Sequence, residues 1–150
     1  MDALLDDLAN RARALSARHG LDISEEPAMC FSDPRLETFE QVCHELAHAL
    51  QLGMDIDVKV SDCVGAKIDQ MPKADQDLQE VRCFAIAEEV FWQLGVGRSW
   101  VSMDAVAAVE IQVDTAVWTR RKMHQEWSHF AYDALPLAER IAGMFRAVEL

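Results

Sequence analysis

Residues 42–50 read Val-Cys-His-Glu-Leu-Ala-His-Ala-Leu, so two histidines four positions apart and an adjoining glutamate interrupt an otherwise apolar helical run. The run is well bounded. Asp33 offers an N-cap and Pro34 suits the first helical position, Leu36, Phe39, Val42, Cys43, Leu46, Ala47 and Leu50 follow at helical spacing, and Gly53 supplies a stop. Residues four apart share one helix face at about 6 Å between Cβ atoms, so the imidazoles of His44 and His48 can converge on one cation at bond lengths of roughly 2.0 to 2.1 Å. Two imidazoles and a carboxylate are costly to bury without partners, and a metal ion supplies one. Glu45 stands about 100° around the helix from His44, a position for a general base acting on water and not for a ligand.

A zinc ion on two histidines needs a third protein ligand. The next helix, expected over residues 75–94, carries Glu80, Glu88 and Glu89. On a helical wheel Glu88 falls inside the apolar stripe of Val81, Ala85 and Trp92, Glu80 on its margin, and Glu89 with Arg82 and Gln93 toward solvent. The expected set is therefore His44, His48 and Glu88, with Glu80 as the alternative; the competing reading of Glu88 is a half-exposed carboxylate paired with an arginine. His124 lies on the apolar stripe of a later helix, as a core histidine or as a group that stabilises an oxyanion or orients a ligand. Tyr132 is a weaker candidate for the same role. Cys43, on another side of the helix from His44, reads as a core residue.

Elsewhere, Leu4, Leu5, Leu8, Ala12 and Leu15 mark a helix over 3–19, stopped by Gly20. Residues 28–31 have room for a short strand, and 54–61 alternate apolar and polar as an edge strand does. The segment with Gly65 and Pro72 is turn-rich. A long helix is expected over 102–134, with Pro136 restarting a last one. With 150 residues, half of them apolar, the chain suits one domain spanning 1–150, mostly helical (α+β) with one or two short strands.

Charge narrows the function classes: 26 acidic against 14 basic side chains give a net charge of -12, which repels nucleic-acid phosphates. The acidic N-terminus does not resemble a secretory signal, no stretch has the apolar length of a membrane span, and the four cysteines form no C-x-x-C pair, so a cytoplasmic location with reduced thiols is expected.

Phe39-Glu-Gln-Val-Cys-His-Glu-Leu-Ala-His-Ala-Leu50, together with a leading helix ending in Gly20-Leu-Asp-Ile23 and a glutamate-bearing helix downstream, resembles the H-E-x-x-H zinc metallopeptidases called zincins, in particular the small ImmA/IrrE-like peptidases. In that family the third ligand belongs to an E-x-x-x-F-A run, which Glu80-Val-Arg-Cys-Phe-Ala85 matches. A weaker similarity, to the metallopeptidase domain of ArdC-type antirestriction proteins, rests on Glu88-Glu-Val-Phe-Trp-Gln-Leu-Gly95 and points to Glu88. The resemblance implies a zincin-like fold, a Zn²⁺ cofactor, a peptide or protein substrate and cleavage with Glu45 as general base. The competing expectation is a non-enzymatic acidic interaction or decoy protein, bound to a protein partner, whose metal is structural or absent. A hydrolase of non-peptide bonds would share the same site.

Overall fold

A computed structural model describes residues 2–21, 23, 33–54, 61–96, 110–113, 116–119 and 127–150. Its elements in chain order are α1 (Asp2–His19), α2 (Pro34–Gln51), α3 (Ser61–Asp69), α4 (Lys73–Gln93), β1 (Glu110–Val113), β2 (Ala116–Thr119) and α5 (Trp127–Ala147). The chain is thus mostly helical. No helix among the described residues is long and apolar enough to cross a membrane.

Helix α2 forms where its local signals place it. Asp33 holds an extended conformation and its carboxylate accepts the Arg35 backbone N–H at 2.9 Å, satisfying one of the helix's orphan donors, with Pro34 following. At the other end Gly53, at φ 65°, turns the chain so that Met54 N–H reaches Ala49 O at 3.0 Å and Gly53 N–H reaches Leu50 O at 3.1 Å. A left-handed residue closing the last carbonyls in this way favours glycine. Arg35 also ties α2 to α1, binding Asp6 at 2.9 Å and Asp2 at 3.0 Å beside its own Asp33 at 2.7 Å.

Four helices enclose the core: α4 packs against both α2 and α5, and α1 lies against α2 and α5. Phe39 is the pivot, stacked on Phe91 of α4 with centroids 4.8 Å apart and meeting Phe145 of α5 edge-on at the same distance. The helix ends are held by arginines. Arg11 donates to the carbonyls of Phe145 and Val148 at 3.0 and 2.7 Å, and Arg146 to the last α4 carbonyl, Gln93, at 3.0 Å. Cations there answer the negative ends of the helix dipoles.

Several sequence expectations need correction. Glu89, expected in solvent, is buried, and Trp92, expected in the apolar stripe, is 56% exposed. The reason is that α4 is covered on two sides, by α2 and α5, so residues 85–91 are all buried and a single-stripe wheel does not describe them. Within the long helix expected over 102–134, residues 110–113 and 116–119 instead form an antiparallel pair, Glu110 opposite Thr119 and Val113 opposite Ala116. Ile111 and Val113 alternate with Glu110 and Gln112, and β-branched residues at period two favour a strand over a helix. Pro136 does not begin a helix but sits inside α5. Its missing N–H removes one hydrogen bond, which the packing of Ala138, Ile141, Ala142 and Phe145 into the core outweighs. The turn-rich segment contains α3, anchored by buried Val64. The strand expected at 28–31 lies outside the described residues, as does the interior of that expected at 54–61, whose last residue, Ser61, opens α3.

Candidate metal centre

The stacking of Phe39 on Phe91 at one end and the contact of His48 with Gln79 at the other set α2 antiparallel to α4. Along this seam α2 presents His44, His48 and Gln51, and α4 presents Gln79 and Cys83. Each set recurs at three- or four-residue spacing and so shares one helix face. The seam is polar although it adjoins the apolar core residues Leu46, Ala47, Ile86 and Ala87 of the same two helices.

The two histidine rings meet edge to face, with centroids 4.7 Å apart and an interplanar angle of 75°. Their Nε2 atoms are 3.1 Å apart. His48 is buried and its Nδ1 lies 2.6 Å from Gln79 Oε1. An amide oxygen only accepts, so the proton of a neutral His48 ring sits on Nδ1 and its Nε2 lone pair points toward His44. Gln79 is held in turn: its Nε2 donates to Met71 Sδ at 3.9 Å. Gln51 Nε2 donates both to the Gln79 backbone carbonyl at 3.3 Å and to Cys83 Sγ at 3.1 Å.

His44, His48 and Cys83 each bring one donor atom to within 4.8 Å of the others. Two nitrogens bound tetrahedrally to one zinc at about 2.05 Å stand about 3.3 Å apart, close to the separation found here. Two imidazoles and a thiol are also ligand types that zinc favours. The donor types and the His44–His48 spacing therefore suit a zinc ion, and three protein donors leave one position of a tetrahedron unassigned.

No family model, curated protein or solved structure matches the chain.

The structure brings His44 and His48 together, as their spacing implies. Among the described residues, the one that joins them in a cluster able to hold a metal is Cys83; Glu88 is not part of that cluster. Helical geometry explains the difference, because Glu88 lies five residues beyond Cys83, about 140° around the axis and about 7.5 Å along it, away from the face turned to the imidazoles. Glu88 is nonetheless buried, as are Glu37, Glu40 and Glu89. The side chain of Glu80 lies outside those described, as do His124 and the side chain of Tyr132. Glu45 is half-buried on α2. Cys43 is a core residue: burial, and secondarily the Glu40 charge, pushes its thiol well above the usual range and keeps it neutral.

A third ligand sought among acids leaves out the thiol of Cys83, and the H-E-x-x-H pattern contains neither Gln79 nor Gln51. The available signal was spacing: Gln79 and Cys83 stand at i and i+4, as do His44 and His48.

Proposed function

We propose that the chain is a zinc-dependent hydrolase of the H-E-x-x-H type, with the metal held by His44, His48 and Cys83 and with a peptide bond as the scissile group. The observation that carries this reading is the convergence of the two Nε2 atoms at 3.1 Å, with a thiol from the neighbouring helix beside them. Zinc in such a site polarises a carbonyl and acidifies water. Glu45 would accept the proton of the attacking water and return it to the leaving amine, at a site where His48 is buried and His44 half-exposed.

A second reading has an observation of its own: thiolate ligands are common in structural zinc sites, and here the three donors bridge α2 and α4. In that case the metal is a brace and the net charge of -12 serves a protein partner.

Glu45→Gln separates the two. Zinc-loaded protein is incubated with a mixed peptide library and cleavage is read by mass spectrometry. A hydrolase cleaves, and Glu45→Gln lowers the rate by roughly 10²- to 10⁴-fold with zinc content unchanged. Absence of cleavage, or cleavage indifferent to Glu45→Gln, overturns the hydrolase reading.

A further inference from the structure

We infer that Gln79 and Gln51 form an amide clamp that prepares the His44, His48 and Cys83 donors for a divalent cation before it arrives, and that both glutamines are positioning residues. The inference rests on the metal-centre reading above and extends it to residues that no ligand motif contains.

Gln79 acts through His48. Its Oε1, 2.6 Å from Nδ1, selects the tautomer whose Nε2 carries the lone pair and fixes the ring's rotation. Gln79 is itself buried and cannot exchange this partner freely for water. Gln51 acts through Cys83, with its Nε2 donating to Sγ at 3.1 Å. A donor aimed at the sulfur withdraws electron density from a thiolate and limits how much it gives to a bound ion. The same amide donates to the Gln79 backbone carbonyl at 3.3 Å, so Gln51 is tied to the α4 turn that carries both Gln79 and Cys83. Because both clamp residues are amides, no further negative charge is added near the ligands, unlike the carboxylate that often supports a metal-bound histidine.

The test uses Co²⁺ as a coloured probe in the full chain, with affinity read by chelator competition and sulfur ligation by the thiolate-to-cobalt charge-transfer band. The unsubstituted protein is expected to show the band, and Cys83→Ser to lose it. Gln79→Leu is expected to weaken Co²⁺ binding by roughly 10- to 100-fold, and Gln79→Glu, which keeps an acceptor for Nδ1, to restore most of that loss. Gln51→Leu is expected to keep the band but move it to lower energy, since the sulfur then donates more freely. A purely structural role for the glutamines would alter the melting temperature of the metal-free protein without these selective changes. If the unsubstituted protein shows no band, the metal centre falls and the clamp with it. If the band is present but Gln79→Leu binds Co²⁺ as tightly as the parent, Gln79→Glu fails to rescue, or Gln51→Leu leaves the band in place, the clamp alone is overturned.

Discussion

The Nε2 atoms of His44 and His48 lie 3.1 Å apart, one helical turn along α2. With His48 Nε2 as the acceptor, a neutral His44 ring donates its Nε2–H across this gap, and a cation that displaces that proton finds two nitrogens already converging. Protein purified without chelator is therefore expected to carry close to one zinc per chain, and the double variant His44→Ala, His48→Ala to carry none above background, by elemental analysis. Because such an ion binds only the folded chain, removing it should lower the melting temperature and adding zinc back should restore it.

The identity of the third donor separates two single variants. Cys83→Ser should weaken zinc binding by at least 10-fold, since a hydroxyl is a poor substitute for a thiolate. Glu88→Gln, on another side of α4, should leave zinc affinity within about 2-fold of the parent, whatever it does to stability. Chelator competition on both proteins checks this, and the reverse ordering would restore the carboxylate to the ligand set.

Acid should unfasten the start of α2. The Arg35 hydrogen bond, followed by the Arg35 backbone N–H and charge, holds the Asp33 carboxyl below its usual value against the opposing effect of burial. Because the folded-state value is depressed, the stabilisation is complete above the ordinary value of 3.8 and is lost as pH falls through the lower folded-state value. Asp33→Ala should cost about 1 kcal/mol at neutral pH, and the gap between variant and parent should close as pH falls below that value. Denaturant melts across the acid range measure it.

Two glycines should respond in opposite directions to alanine. Gly143 sits on the exposed side of α5 with nothing within 4 Å of where a Cβ would lie, so Gly143→Ala should stabilise by about 0.5–1 kcal/mol, or roughly 1–4 °C in Tm. Gly53 has the same free space but φ 65°, so Gly53→Ala should destabilise by about 1 kcal/mol. Thermal melts of the two variants decide whether backbone conformation, and not space, sets the sign.

What was legible in the sequence is what depends on near neighbours. The start of α2 at Asp33-Pro34, its end at Gly53 and the pairing of His44 with His48 follow from contacts within a few residues. Cys83 was hidden because its meeting with the histidines depends on how α4 is rotated against α2, which Phe39 on Phe91 and Gln79 on His48 determine across the seam. Glu89 and Trp92 were misplaced for a related reason: a wheel assumes one covered face, and α4 has two. The β1–β2 pair was missed because Val113 and Val117 fit a helical stripe as well as they fit strand alternation. The partners of Ile111 and Gln112 lie on the other strand.

X-ray absorption at the zinc edge of the purified, zinc-loaded protein tests the metal centre most directly. The expected spectrum contains one sulfur at about 2.3 Å and two imidazole nitrogens at about 2.0 Å, with the sulfur shell lost in Cys83→Ser. A first shell made only of nitrogen and oxygen, or one unchanged when Cys83 is replaced, would contradict a site built from His44, His48 and Cys83.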